Sequence, residues 1–332
     1  MLNIYDISKK TGVSIATVSR VLNGSSHVSE KTRERVLSVI KEEGYTPNAF
    51  ARGLGLKTMF TVGILYSDAS DLFLANAIYY LEQGCRALGY DSLLCCSGYS
   101  LTDHERYTRW MLGKKVDAIV LVGSHFVSER PEDNAYILDA ARQVPVAVLG
   151  AHIEGENVCC AYCDDRAAAF ELTQALIARG TRRPLFLYNI LSVSAQNKLL
   201  GIQQACAVAG LPFTSQEAIR SPGTDLESCG RAIQELRQSR QFDTILCMDD
   251  MLAAGVLKSA QAAGIAVPDE LRIAGYNNSI LARYCTPELT TVENFPQRLC
   301  AALVEMLAQC LSGDPAPAPF VLNGRVILGQ TG

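Results

Sequence analysis

Few stretches of this sequence hold side chains whose type and spacing could do chemistry. In "SIATVSRVLN", residues 14–23, one guanidinium, Arg20, stands among the short side chains Ser14, Ile15, Ala16, Thr17 and Ser19, and Asn23 closes the run. Small side chains let a helix approach a surface closely, and the chemistry that fits is contact with the DNA major groove. There, small residues meet thymine methyls and the sugar-phosphate backbone, while arginine reaches guanine or phosphate. Cys160-Ala161-Tyr162-Cys163 is the only CxxC, and no second pair stands at zinc-ribbon spacing, so no metal or redox role is expected of it. His27, His104, His125 and His152 form no catalytic or metal-ligand spacing. Gly55-Leu56-Lys57-Thr58 echoes the end of a phosphate-binding loop, but Phe50 occupies the place of its first glycine, so that loop is rejected. Neither enzyme chemistry nor a cofactor is expected.

Short helices must position Arg20. Asn3, with Asp6 three residues later, marks a helix start, and the apolar stripe of Ile4 and Ile7 closes at Thr11-Gly12. Ser14 can cap a second helix, Ile15 to about Leu22, that turns Val18, Val21 and Leu22 inward and leaves the small residues and Arg20 outward. Ser29 is expected to cap a third, with Val36, Val39 and Ile40 as its buried stripe up to Gly44. Three short helices with a glycine turn between the first two make a helix-turn-helix unit. Ile15, Ala16 and Arg20 would read base edges, and Ser14, Thr17, Ser19 and Asn23 would meet the backbone.

Charge separates this head from the rest. Residues 1–58 hold nine Lys or Arg against five Asp or Glu, a net of +4; the whole chain is −4, which leaves −8 on residues 59–332. A basic head on an acidic body suggests that only the head meets a polyanion. From Phe60 onward, short apolar runs ("TVGILY", "DSLLCC", "DAIVLVG", "VPVAVLG", then "PLFLYN", "DTILCM", "RIAGYN") alternate with helical stretches. That alternation predicts parallel sheets covered by helices, and two such sets predict two lobes. The 332 residues are enough for more than one core. No apolar run is long enough to span a bilayer, and Asp6 interrupts what would have to be an export signal, so a cytoplasmic protein with reduced, mostly buried cysteines is expected. Trp110, the sole tryptophan, is expected in the core.

"IYDISKKTGVSIATVSRVLNGSSHVSEKTRERVLSVIKEEGYTPNAFAR" resembles the DNA-binding head of the LacI/GalR family of bacterial repressors, and the likeness runs on through the body. It implies an all-α head (residues 1–46), a hinge helix or linker (47–58) and an effector-binding and dimerisation body (59–332) with periplasmic-binding-protein-like lobes. The partners implied are a pseudo-palindromic double-stranded operator, a second copy of the chain and a small effector, with no membrane. In the hinge, Asn48 would cap a short helix and Leu54 would wedge into the minor groove. The lobes would exchange chain near Tyr162, Thr290 and Phe320, giving an N-lobe of about 60–161 and 291–319 and a C-lobe of about 162–290 and 320–332. Lys198 matches a sugar-binding arginine, Asp249 a common Asn, Asn277 a common Asp, and Gly150 a position often held by Asp. Asp250 could equally be a helix N-terminal acid without a ligand role. Two acids would thus be absent, so the expected pocket has lost negative charge. A sugar or sugar derivative is expected ahead of a nucleobase or other effector, with acidic variants admitted.

Overall fold

The computed structural model describes residues 3–22, 26–45, 58–221, 223 and 226–332. In the head, α1 (Ile4–Thr11) carries a reciprocal cap: Asn3 Oδ1 accepts from the backbone of Tyr5 (2.9 Å) and Asp6 (3.2 Å), while Asp6 Oδ2 accepts from Asn3 N (3.0 Å). Gly12, at φ 66°, ends it in the left-handed conformation that favours glycine. Helix α2 (Ile15–Leu22) starts where Ser14 Oγ accepts from Thr17 N at 3.2 Å. Helix α3 (Glu30–Glu42) departs from the expected cap: the Ser29 hydroxyl donates to Thr32 Oγ1 and accepts no backbone N–H. The competing hydroxyl one turn on takes its place. Ile7, Val18, Val21 and Val36 form the buried centre, with Leu22, Val39 and Ile40 packed around it.

The first lobe is built on a six-stranded sheet in the order β11-β5-β4-β3-β1-β2, with parallel pairing throughout. Its strands are β1 (Thr61–Tyr66), β2 (Asp91–Cys96), β3 (Ala118–Val122), β4 (Val146–Leu149), β5 (Val158–Asp164) and β11 (Phe320–Asn323). Alternate residues of β3 face opposite cores. Ala118, Val120 and Val122 pack with α4 (Leu72–Ala87) and α12 (Pro296–Leu311), whereas Ile119 and Leu121 pack with α5 (Leu101–Gly113) and α6 (Ala135–Ala141). A strand buried on both faces needs apolar residues at every position, hence the uninterrupted "AIVLV".

The second lobe holds a parallel four-stranded sheet, β7 (Ala218–Arg220), β6 (Pro184–Tyr188), β8 (Thr244–Cys247) and β9 (Arg272–Ala274) in that order. Helices α7 (Asp165–Ala178) and α8 (Val193–Val208) contribute to one core, and α9 (Leu226–Ser239) and α10 (Asp250–Ala262) to the other. Helix α11 (Ile280–Tyr284) and an antiparallel pair, β10 (Thr291–Glu293) with β12 (Arg325–Ile327), complete it.

The ladders move each crossing along the chain from its expected place. Strands β5 and β11 stay paired through Asp164 and Asn323, so the first and third crossings fall after those residues, a few residues beyond Tyr162 and Phe320. Residues Thr291–Glu293 pair with β12 in the second lobe, which puts the second crossing at Asn294-Phe295, beyond Thr290. Residues 291–293 thus leave the expected N-lobe, and 162–164 and 320–323 join it. A strand ends where its partner's hydrogen bonds end, which segments this short do not announce. At the third crossing Gly324 has no room for a side chain: a Cβ would lie 2.7 Å from Ala168 Cβ and 2.8 Å from Val292 Cγ1. Trp110 is 42% exposed, with Lys114 Nζ 5.2 Å from its ring centroid, and is not a core residue. Among the described residues no helix is long and apolar enough to cross a membrane.

Candidate functional site

Two surfaces gather the residues singled out above. On α2, Ser14, Ile15, Ala16 and Arg20 are exposed and Thr17 and Ser19 half-buried, while Val18 and Val21 face the head core. Ser14 and Thr17 also hydrogen-bond through their hydroxyls at 2.9 Å, which orders the start of the outward face. Asn23, Asn48 and Leu54 lie outside the described residues.

The second surface is a cleft between the lobes, at the C-terminal ends of the parallel strands, where open sheets present loops and helix N-termini. Gly150, Lys198, Asp249 and Asn277 all line it. Lys198 is nearly buried; Nζ donates to the Met248 carbonyl at 3.0 Å and sits 3.8 Å from the centroid of the Tyr276 ring. The aromatic face and the carbonyl hold an ammonium that has no carboxylate within ion-pair distance among the described residues. Asp249 caps α10, its Oδ1 accepting from Leu252 N at 2.8 Å. Gly150 adopts φ 90°, a conformation suited to glycine. Asn277 adopts φ 93°, which asparagine tolerates better than most residues, and its Oδ1 accepts from Asn294 Nδ2 at 2.8 Å.

The cleft nevertheless holds acids that no short-range spacing flagged. Asp71, capping α4 through Leu74 N (2.9 Å), faces the same cleft from the first lobe, as does Asp165 from the first crossing. Burial raises the Asp71 carboxyl above its ordinary value, with Asp68 adding to the rise; burial raises Asp249, with Asp71 adding; Lys198 pulls both down. The oxygens of Asp165 are engaged, accepting from the Tyr276 hydroxyl (2.7 Å) and the Ser194 hydroxyl (2.5 Å). Ser194 N in turn donates to Ser124 Oγ of the first lobe at 3.3 Å, linking the two walls. Asp250 is a structural latch: it accepts from the Thr291 hydroxyl and from Ser279 N, each at 2.6 Å, and burial pushes its carboxyl up to about 6. Tyr99, His125 and Asn189 are among the further lining residues that sequence reasoning missed. Cys160 and Cys163 are buried free thiols, and the described residues hold no cluster of three metal-ligating side chains.

A helix-turn-helix head followed by two α/β lobes around a polar cleft is the plan of a DNA-binding transcriptional regulator. Residues 3–48 match the family model "Bacterial regulatory proteins, lacI family", and residues 173–331 match "Periplasmic binding protein-like domain". The chain is 43% identical to an HTH-type transcriptional regulator of Lachnoclostridium phytofermentans, over 99% of each. It belongs to the LacI family. Its fold resembles that of the Lac repressor dimer bound to operator and the anti-inducer ONPF (TM-score 0.85, 22% identity, covering 99% and 98% of the two chains). It also resembles the transcriptional regulator CelR in complex with cellobiose (TM-score 0.71, 24% identity, 100% of both chains).

Proposed function

We propose that this regulator is a cytoplasmic repressor of carbohydrate-related genes, binding a pseudo-palindromic operator as a homodimer and answering to a small neutral saccharide held between its lobes. In this reading Ile15, Ala16 and Arg20 read base edges, Ser14, Thr17, Ser19 and Asn23 meet the backbone, and the hinge at 47–58 uses Asn48 as a cap and Leu54 as a minor-groove wedge. The observation that carries the effector class is the facing of Asp71 and Asp249 from opposite lobes around buried Lys198. Two carboxylates repel, so closing the cleft requires a ligand that donates to both. A polyol does so without bringing a charge of its own, whereas a carboxylate or phosphate would meet Asp71 and Asp249 together. That a relative in fold is known in complex with cellobiose supports the same class.

The test is operator release. Fluorescence anisotropy of the full chain on DNA from its own promoter region is expected to fall when a neutral sugar is added. Release by uronic acids or sugar phosphates, with neutral sugars inert, would refute the assigned effector class. Deleting the gene should raise transcription from that promoter; a fall would refute repression.

A further inference from the structure

We propose that the effector occupies two connected cavities and is therefore a disaccharide or longer neutral saccharide, a claim that rests on the saccharide reading above. Beside the cleft already described, a second cavity opens between the lobes, and the two share Tyr99, His125, Ile190 and Ser192 as a neck. Leu101 and Arg130 stand on its first-lobe side, Leu191 and Gln196 on its second-lobe side.

Three features suit a second sugar ring. Tyr99, Leu101 and Leu191 are 44%, 37% and 51% exposed, large apolar groups turned toward solvent where the two lobes meet. The C–H face of a pyranose packs against such a wall, as it does against aromatic and aliphatic side chains generally. Around them stand Glu129, Arg130 and Asp133, groups of both signs, which suit hydroxyls that donate and accept better than a ligand of one fixed charge. The Gln196 amide, oriented to donate, reaches Glu129 across the lobes, so this cavity lies where lobe approach is registered. Finally, His125 Nε2 at the neck is sealed from solvent and has no hydrogen-bond partner. Its ring is held in place, packed against Gly123 and with the Tyr99 ring centroid 5.2 Å away. Burial pulls the imidazole down to about 3, so it stays neutral and brings no fixed charge to the neck between the cavities.

Calorimetry of the full chain tests this with glucose, galactose, mannose and xylose, each beside its α- and β-linked homodisaccharides. For the sugar that binds, the disaccharide is expected to bind at least tenfold more tightly than the monosaccharide. The double variant Leu191→Ala, Arg130→Ala, at two exposed positions, should reduce that ratio at least threefold, with a thermal melt as the folding control. Equal affinity for one and two rings, or a ratio unmoved in the folded variant, overturns the two-cavity proposal and leaves the saccharide reading standing. Binding of none of the sugars overturns the saccharide reading itself.

Discussion

Lys198→Met removes the ammonium from the centre of the cleft while keeping most of the side chain's volume. The variant loses the 3.0 Å hydrogen bond to the Met248 carbonyl and the cation over the Tyr276 ring at 3.8 Å. A hydrogen bond from a charged donor to a ligand is worth about 1.5–3 kcal/mol, so effector affinity should fall roughly 10- to 150-fold. Stability should change by less, because the lost cation–π contact, worth about 2 kcal/mol, is offset by no longer desolvating an ammonium. The substitution also carries a pH signature. Lys198 lowers the carboxyls of Asp71 and Asp249 against a rise caused by burial, so without it both rise further. If their ionised forms accept the ligand's hydroxyls, binding is lost as pH falls through those raised values, and in the variant that loss begins at higher pH. Calorimetry across an acidic pH series, with melts at each pH, measures both effects. Wild-type affinity in the variant, with an unshifted acid limb, would refute the assignment of Lys198 to the effector site.

Arg20→Ala should weaken operator binding by about 1–3 kcal/mol and relax discrimination at one base pair per half-site, measured by anisotropy on base-substituted operators; unchanged affinity would remove Arg20 from the interface. Leu54→Ala is expected to weaken operator binding while leaving effector affinity intact, and equal loss of both would argue against a wedge that touches only DNA and its dimer mate. Gly324→Val should destabilise the body by about 1–3 kcal/mol in chemical denaturation, because even a Cβ overlaps Ala168 and Val292; a neutral result would mean that the crossing relaxes freely. Asp250 ionises at about 6 in the fold against an unfolded value near 3.8, so the folded state binds its proton more tightly. Its contribution is therefore greatest below about 3.8 and declines by roughly 3 kcal/mol as pH rises through about 6. Asp250→Asn should flatten that limb of the stability–pH curve, and an unchanged limb would assign it to other groups.

The head was legible because its information is local. Asn3 with Asp6, Gly12, Ser14 and the spacing of Val18, Val21 and Leu22 each act within one or two helical turns, and the three helices appear at the expected bounds. Even there, the Ser29 cap depended on a competing hydroxyl. The buried strands β1, β3, β4, β6 and β8 were equally readable, since burial on both faces leaves an apolar run. Helix α12 was not foreseen, although Leu299, Leu303, Leu307 and Cys310 give it a regular stripe. Strands β10, β11 and β12 exist only because distant segments offer hydrogen-bond partners, so pairing alone decides where the chain crosses between lobes. The cleft lies at the same limit. Family likeness singled out Gly150, Lys198, Asp249 and Asn277, but Asp71, Tyr99, His125 and Asn189 come from separate segments with no mutual spacing. The sequence alone determined a DNA-contacting head and two sheet lobes through short-range pattern; which acids meet around Lys198 was decided by tertiary structure, because parallel strands deliver their C-terminal loops, and the acids on them, to one place.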